Sequence, residues 1–200
     1  MASDSTTHFV KVGFTGRSKL LMHNPQMADP ANQYVRLIRA ITKKRNKTDA
    51  DYEEIGRLEF MGSLYYAEPA GPYIPGDMVY AAIRNGGKTV RRGTDVARGI
   101  FVNEDYIKLN YDGPRNRDAL FEDKRFVDFR RVTVNRGSST MRTRPIFSDW
   151  SIDFTLEYSD DILSLDDLYQ CVVLAGSRMG LGDFRPRFGR FDVTTWEPLN

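Results

Sequence analysis

The segment GLGDFRPRFGRF, residues 180–191, combines side chains that can contact RNA with a backbone that glycine makes adaptable. Arg185 and Arg187 alternate there with Phe184 and Phe188. A guanidinium binds phosphate or stacks, and an aromatic ring stacks on a base, so this alternation favours an RNA-binding loop. The alternative is a core of phenylalanines with a solvated arginine edge. The glycines that permit close approach and a left-handed backbone are Gly180, Gly182 and Gly189.

This segment matches neither of the two common nucleotide-binding fingerprints. Its G-x-G has no third glycine at the dinucleotide spacing, and it follows a predicted helix and precedes a predicted strand, which is the reverse of the dinucleotide-binding order. No Gly-Lys-Ser/Thr follows these glycines, so a Walker-type phosphate loop is not expected. A collar of N–H groups and arginines remains the prediction.

A second glycine-containing stretch, GPYIPGDMVYAAIRNGG, predicts a tight turn followed by a helix. Pro75 fixes φ and Gly76 lets the backbone turn, so the helix is expected to begin near Asp77 and to end at Gly86 and Gly87. A helix N-terminus binds phosphate through free N–H groups, but a capping Asp77 would occupy those donors itself. A plain turn with a capped core helix is therefore the alternative to a phosphate site.

Cations cluster around both stretches, although the formal net charge of the chain is only +2. Residues 84–98 hold five basic residues against one acid, and residues 176–190 hold four arginines against Asp183 alone. Local patches attract a polyanion more than a net charge does, so these stretches are the predicted contact regions. The further cations assigned to them are Arg84, Arg178 and, in a glycine-flanked loop, Lys88, Arg91 and Arg92.

Catalytic groups are sparse, and the sequence favours a protein that is not an enzyme. His23 is the histidine that could act as an acid or base, since an imidazole suits proton transfer near neutral pH. His8 opens the first predicted strand and is expected to be incidental. No Ser-His-Asp order, His-Glu-x-x-His motif or paired-carboxylate motif occurs, and neither a metal site nor a cofactor is expected.

The composition is that of a globular chain, with 200 residues of which 40% are hydrophobic and 28% charged. The single cysteine, Cys171, lies in an apolar run and is expected to be a buried small hydrophobe. A chain without disulfides suits a reducing compartment, so a cytoplasmic location is expected. No apolar run approaches the roughly 18 residues of a bilayer span, and the N-terminal MASDSTTHFVK lacks a signal-peptide pattern.

The elements that must position these residues follow from hydrophobic spacing. HFVKVGFTG predicts a first strand with Phe9, Val10, Val12 and Phe14 on its apolar side, and SKLLMHNP is expected to continue it. Helical spacing then predicts two helices within residues 30–66.

Helix caps and strand patterns fix the rest of the order. Thr48 is expected to start the second helix of the 30–66 insertion. The middle of the chain changes to strands, with an arm or hairpin insertion expected at 113–145. SLDDLYQCVVLAGSRMG predicts the last helix, with Ser164 as its cap and Gly180 as its stop, and RFDVTTWEPL predicts the final strand.

This order of strand, helices, strands, helix and strand predicts one α+β domain over residues 1–200. An antiparallel sheet with helices on one face is the economical arrangement. A ferredoxin-like split βαβ core fits the order, with the helical insertion after strand 1 and the C-terminal glycine-rich loop before the last strand.

Three segments, in this order along the chain, resemble motifs of the RAMP superfamily, the repeat-associated mysterious proteins. VGFTGRSKLLMH is similar to the opening strand and turn of that family. YIPGDMVYAAIR resembles the turn and helix written IPGSSLKGALR in the backbone subunits of CRISPR effector complexes. GLGDFRPRFGRFDV resembles the family's C-terminal glycine-rich loop and final strand.

The resemblance implies a ferredoxin-like or RRM-like core that binds single-stranded RNA, either a guide or a target. It also implies a homo-oligomer along a guide RNA, or docking to CRISPR effector subunits. One branch of the family cleaves bound RNA with an aspartate in the loop after the first strand, and Asp29 lies in that region. The residues that inherit an RNA-contacting role are Pro75, Gly76, Arg84, Lys88, Gly180, Gly182, Arg185, Arg187 and Gly189.

The chain departs from the family after the IPG turn. Asp77, Met78, Val79 and Tyr80 replace small and basic residues, which argues against phosphate binding by the helix start. LLMHNPQMADP and RTRPIFSDW resemble uncharacterised phage and prophage proteins, which suggests a member encoded by a phage or mobile element. Three alternatives stand: a non-catalytic RNA-binding protein, an endoribonuclease using Asp29 or His23, and a structural or interaction protein without RNA contact.

Overall fold

The computed structural model describes residues 7–133 and 139–199. The chain forms two compact units, a first unit from residues 7–20, 73–112 and 148–199 and a second unit from residues 21–72 and 113–147. Both predicted insertions, 30–66 and 113–145, fall in the second unit. Residues 134–138 of the second insertion lie outside the described residues, as do residues 1–6 of the segment that lacks a signal-peptide pattern.

Within the described residues the strands are β1 (Thr7–Gly16), β2 (Leu20–Leu21), β3 (Tyr66–Ala67), β4 (Gly71–Pro75), β5 (Ile100–Val102), β6 (Tyr106–Lys108), β7 (Val127–Thr133), β8 (Ser139–Phe147), β9 (Ser151–Ser159) and β10 (Phe191–Leu199). The α-helices are α1 (Gln33–Thr42), α2 (Asp49–Ser63), α3 (Gly76–Lys88), α4 (Gly93–Gly99), α5 (Arg117–Glu122) and α6 (Leu165–Leu174), and α6 continues as a π-helical turn over Ala175–Met179. Helices with antiparallel sheets confirm the predicted α+β class.

The first unit is built on a four-stranded antiparallel sheet with the order β10-β1-β9-β5. Helices α3 and α4 connect β1 to β5 by way of other elements, and α6 connects β9 to β10. Along this sheet the elements therefore follow the order β-α-β-β-α-β. Helices α3 and α6 pack against each other, which buries the apolar residues of the sheet beneath them.

The side chains of β1 alternate between the core and the exposed face of the sheet. Val10, Val12 and Phe14 are fully buried, and the Phe14 ring stacks on Phe191 with ring centroids 3.9 Å apart. Phe9 does not belong with them: it is 37% exposed, because side chains one residue apart on a strand point to opposite faces. The apolar side predicted for β1 was therefore wrong by this one residue.

Close packing between α3 and α6 depends on glycine. A Cβ atom on Gly86 would lie 2.4 Å from the carbonyl oxygen of Cys171, so the helix backbones could not approach as they do with a larger residue. The prediction that α3 ends at Gly86 and Gly87 was wrong, since the helix continues to Lys88 and both glycines are buried within it. Cys171 is buried as expected.

In the second unit, α2 packs against α1 and β8. Thr48 caps α2 as predicted, with its Oγ1 accepting a hydrogen bond from the Asp51 N–H at 3.3 Å and the Asp51 carboxylate accepting one from the Thr48 N–H at 3.0 Å. Leu20 and Leu21, which stand at the boundary between the two units, do not continue β1 and form the separate strand β2. Strands β7 and β8 pair with each other in antiparallel fashion, and β8 extends beyond residue 145 to Phe147.

Across the described ranges, no helix is both long enough and apolar enough to cross a bilayer.

Candidate nucleic-acid interface

The glycines of residues 180–191 close a compact loop instead of offering free N–H groups. Gly180 and Gly189 have φ of +76° and +75°, and the Leu181 N–H donates to the Gly189 carbonyl at 2.9 Å. A Cβ atom on Gly189 would lie 1.8 Å from the Leu181 carbonyl oxygen. Gly182 also has a positive φ, and its N–H lies 3.1 Å from the Met78 sulfur. These glycines therefore set the shape of the loop, and the side chains between them form its surface.

The three phenylalanines of the loop have different roles. Phe191 is core, 2% exposed, as predicted. Phe188 is 8% exposed and packs, whereas Phe184 is 51% exposed. The Phe184 and Phe188 ring centroids lie 5.9 Å apart with the ring planes tilted by 42°, so the two rings are in contact. Of the two predicted alternatives for the loop, the core therefore applies to Phe188 and Phe191, and an exposed surface applies to Phe184.

The loop, the π-helical turn before it and Asn85 of α3 together line an open cleft of about 450 Å³ in the first unit. Asn85 is the contribution of α3, and the Lys88 ammonium donates to its amide oxygen at 2.9 Å. The two stretches singled out in the sequence are therefore adjacent: Asn85 near the end of α3 lines the cleft, and Met78 in the first turn of α3 contacts Gly182. The residues that line the cleft are Asn85, Arg178, Met179, Asp183, Phe184, Arg185 and Pro186.

Most of the cations predicted around this cleft are exposed and not neutralised by the protein itself. Arg84, Arg178, Arg185 and Arg187 form no salt bridge with any described residue. Although Asp183 also lines the cleft, a phosphate could approach these arginines without breaking a salt bridge among the described residues. This is the electrostatic setting that a polyanion-binding surface requires.

Arg91 and Arg92 lie in the short turn between α3 and α4 and differ from each other. Arg92 pairs with Asp95 at 3.1 Å and Asp167 at 2.9 Å, and these carboxylates raise the pKa of its guanidinium. Arg91 is exposed with φ of +62°. The sequence missed α4, so the loop expected here is shorter than predicted, and Arg92 has a role within the fold.

Arg17 and Lys19 are neighbours of the cleft loop that the sequence reasoning did not single out. The Gly189 N–H donates to the Lys19 carbonyl at 2.8 Å, and the Arg17 N–H donates to the Arg190 carbonyl at 2.7 Å. Ser18 adds a side-chain contact, since its hydroxyl accepts a hydrogen bond from the Arg190 N–H at 2.9 Å. The sequence feature that could have identified them is GRSK at the end of β1, which places two cations in a turn. Both cations are exposed, and the segment that this turn contacts lies far along the chain.

The IPG turn has a structural role. Gly76 is buried, its N–H donates to the Asp105 carbonyl at 3.1 Å, and a Cβ atom there would lie 2.2 Å from the Glu104 carbonyl oxygen. Pro75 is the N-cap of α3, and no side chain caps the helix, so the predicted capping role of Asp77 was wrong. Asp77, Glu104 and Asp105 together line the adjacent cavity, and their negative charge disfavours phosphate at this helix start.

One Gly-Lys-Thr triplet, at residues 87–89, was overlooked in the sequence, and the structure excludes it as a phosphate loop. A Walker-type loop needs these residues in a turn between a strand and a helix. Here Gly87 and Lys88 lie in the last turn of α3, and a Cβ atom on Gly87 would lie 2.9 Å from Val96. The backbone N–H groups are thus part of a packed helix.

The exposed face of the sheet is unlike an RNA-binding sheet. Phe9, Glu157 and Phe101 occupy one row across β1, β9 and β5, so a carboxylate separates the two exposed rings. Asp153 and Glu197 also lie on this side of the sheet, where Lys11 approaches Glu197 to 4.0 Å. A face with this acidic character repels phosphate, which leaves the loop cleft as the better interface in the first unit.

The residues considered for catalysis have local contacts in the fold. The Asp29 carboxylate accepts a hydrogen bond from the Ala31 N–H at 2.8 Å, which is the turn role expected of an aspartate before proline. His23 lies 3.4 Å from the Ser63 hydroxyl, and both Asp29 and His23 belong to the second unit. His8 contacts Asp160 at 3.1 Å. Among the residues the structure describes, no three His, Cys, Asp or Glu side chains are grouped to hold a metal ion.

Comparison with protein-family models and with curated protein sequences gives no match, so the function is argued from the geometry of the chain.

Proposed function

We propose that this chain is a non-catalytic RNA-binding protein that holds single-stranded RNA at the cleft between the C-terminal half of α3 and residues 180–190. The observation that carries the proposal is the combination of Arg178 and Arg185, which have no salt bridge among the described residues, with the exposed ring of Phe184 in one cleft. Cations for phosphate beside a ring for a base are the two parts of a single-strand site.

The cleft suits a single strand better than a duplex. Unstacked bases can stack on an aromatic ring, whereas paired bases in an RNA duplex are held within the helix. Phe184 is 51% exposed and lines the cleft together with Pro186 and Asn85, whose amide oxygen accepts a hydrogen bond from Lys88. Arg187, Arg84 and Lys19 are further exposed cations of the first unit beyond the cleft lining, whereas Arg17 pairs with Asp192 at 3.5 Å.

The resemblance to RAMP proteins supports the same proposal. The β-α-β-β-α-β order and the strand order β10-β1-β9-β5 are compatible with a ferredoxin-like core. On this reading the RNA is a guide or a target, and the protein forms a homo-oligomer along it or docks to CRISPR effector subunits. The buried single cysteine fits a reducing compartment, so we place this activity in the cytoplasm.

Fluorescence anisotropy with a labelled oligouridine, measured over a KCl series, tests the proposal. We expect the Arg185→Ala/Arg187→Ala variant to bind more weakly and to reduce the slope of log K against log salt by about 1.4, since each phosphate contact to a single strand contributes about 0.7. Phe184→Ala should weaken binding by about 1–3 kcal/mol with an unchanged slope, because stacking releases no counterions.

The matched control is Arg98→Ala/Lys108→Ala, which removes two exposed cations of the first unit outside the cleft. Equal losses in the control and in the Arg185→Ala/Arg187→Ala variant would mean that net charge and not the cleft binds RNA, and would contradict the proposal. The same mixtures, run on a denaturing gel, should contain intact RNA. Cleavage that disappears in Asp29→Ala or His23→Ala would instead support the endoribonuclease alternative.

A further inference from the structure

The second unit carries a row of cations on α1 that neither the cleft nor the fold uses. Helix α1 is strongly amphipathic: its apolar residues Tyr34, Val35, Ile38 and Ile41 are half-buried on the side that packs against α2. Helices α1 and α2 are in close contact, since a Cβ atom on Gly62 of α2 would lie 3.2 Å from the Tyr34 Cβ. The remaining face of α1 is exposed to solvent.

The exposed face of α1 presents Arg36 and Arg39, and Lys43, the C-cap residue with helical backbone angles, continues their line. Their spacing of three and then four residues places them above one another on the same side of a helix, about 5–6 Å apart between neighbouring Cβ atoms. All three are exposed. The segment continues with further cations, so residues 36–47 hold six lysines and arginines and no aspartate or glutamate.

This charge is not neutralised within the fold. In the part of the chain that the structure describes, the segment forms one salt bridge, from Lys44 to Asp51 at 2.5 Å. Helix α1 contains no acidic residue at all. Helix α2 shows the contrasting pattern of an ordinary solvated surface, where Arg57 pairs with Glu54 at 2.9 Å and approaches Asp118 to 3.7 Å.

We infer that the row Arg36, Arg39 and Lys43, defined here as the α1 row, is a second surface for the phosphate backbone of a single-stranded nucleic acid. Cations that are exposed, aligned and uncompensated bind phosphates and release the counterions that otherwise screen them. No aromatic or amide side chain stands in this row, so we expect binding there without sequence preference. The inference does not depend on the cleft of the first unit.

A lipid surface is the other polyanion that a basic amphipathic helix can bind, and the packing of α1 argues against it. Such a helix binds a bilayer by inserting its apolar face below the headgroups. In α1 that face packs on α2, and the large hydrophobic residue of this helix that is exposed is Leu37, at 52%. Binding at this surface would therefore depend on the cations, and a phosphodiester backbone can be bound by cations without insertion of an apolar face.

The experiment compares Arg36→Ala/Arg39→Ala/Lys43→Ala with the unaltered full-length chain, again by anisotropy of a labelled oligouridine over a KCl series. Three lost phosphate contacts should weaken binding at low salt and reduce the slope of log K against log salt by about 2. Alanine is the best helix former, so the far-ultraviolet circular dichroism should be unchanged. The matched control is Lys11→Ala/Arg98→Ala/Lys108→Ala, three exposed cations of the first unit.

The possible outcomes separate this inference from the proposed function. An unchanged slope in the α1-row variant, while the unaltered chain binds RNA, overturns the inference and leaves the cleft proposal standing. A reduced slope in this variant, with no effect of Arg185→Ala/Arg187→Ala, supports the α1 row and contradicts the cleft. Co-sedimentation of the unaltered chain, but not of the α1-row variant, with phosphatidylserine vesicles, together with unchanged RNA binding, assigns the row to lipid and overturns the inference.

Discussion

Gly189 decides the shape of the cleft loop through its backbone. Its φ of +75° lies in the region where a side chain costs about 1–2 kcal/mol, and its Cα lies so close to Leu181 that a Cβ atom would be 1.8 Å from a carbonyl oxygen. The loop therefore cannot keep its present path with any other residue at this position. The cations and Phe184 depend on that path for their relative positions.

Substitution of Gly189 by alanine should accordingly damage both stability and RNA binding. We expect Gly189→Ala to lower the free energy of unfolding by more than the strain of about 1–2 kcal/mol alone, because the carbonyl contact must also open. Gly182→Ala is the matched control, since Gly182 has a similar φ of +74° but is only half-buried. Urea unfolding followed by tryptophan fluorescence measures the free energy of unfolding of both variants. Equal losses of this free energy in the two variants would show that the close contact with Leu181 contributes nothing.

Comparison of sequence and structure at single residues shows which signals are local. Thr48 and Ser164 cap α2 and α6 as predicted, because an N-cap depends on residues three positions away. Gly86 was misread as the end of a helix. A glycine is needed at this position because the backbone of α6, far along the chain, packs closely against it. Arg17 and Lys19 were missed for the same reason, since only the folded chain places their turn beside Gly189.

At the scale of elements, the exposed face of the sheet in the first unit is an alternative to the cleft as the place where RNA could bind. An RRM-type protein stacks bases on aromatic side chains of its sheet. Here Phe9 and Phe101 are exposed on β1 and β5, yet Glu157 of β9 lies between them in the same row. A base stacked on either ring would bring its phosphate near that carboxylate.

The double substitution Phe9→Ala/Phe101→Ala should therefore leave RNA binding unchanged. Both side chains lie outside the core, so the fold should tolerate the change, which circular dichroism can verify. Anisotropy with the labelled oligouridine is the measurement, and Phe184→Ala on the cleft loop is the positive comparison. A loss of affinity in the sheet variant equal to that in Phe184→Ala would move the interface to the sheet and contradict the cleft proposal.

The fold class followed from the order of elements, whereas the division into units did not. Hydrophobic spacing identified β1, α1, α2 and α6, and these suffice for an α+β assignment. The insertions at 30–66 and 113–145 were recognised separately, but nothing local indicates that they pack together as one unit. Their association depends on contacts between distant segments, such as Arg142 of β8 with the buried Glu59 of α2.

At the scale of the whole molecule, charge is distributed unevenly although the net charge is +2. Exposed cations without a salt bridge among the described residues include Arg185 and Arg187 of the cleft loop and the three residues of the α1 row, while carboxylates predominate on the exposed face of the sheet. A chain of this kind should bind a polyanion locally at low salt, with an affinity that the total charge does not predict. The variants proposed above measure the contribution of each location.

The buried thiol and phenols of the first unit should make its stability depend on alkaline pH. Burial raises the pKa of the Cys171 thiol, and burial together with the nearby Asp160 carboxylate raises the pKa of Tyr158. A group whose pKa is higher in the folded state stabilises the fold below its unfolded pKa, and this contribution is lost as the pH rises. With unfolded values of about 8.5 for cysteine and about 10 for tyrosine, we expect stability to fall first above about pH 8.5 and further above about pH 10.

Replacing the cysteine separates the two stages of this loss. Trp150 and Trp196 both belong to the first unit, so urea unfolding followed by tryptophan fluorescence reports on the unit that contains Cys171. Between about pH 8.5 and 10 the unaltered chain should lose stability with a slope of at most about 1.4 kcal/mol per pH unit, the limit for one proton. Cys171→Ala should be less stable below about pH 8.5, because it loses buried contacts, but its stability should stay level until the tyrosines titrate. Parallel curves for the two chains would show that ionisation of Cys171 is not the source of the first stage.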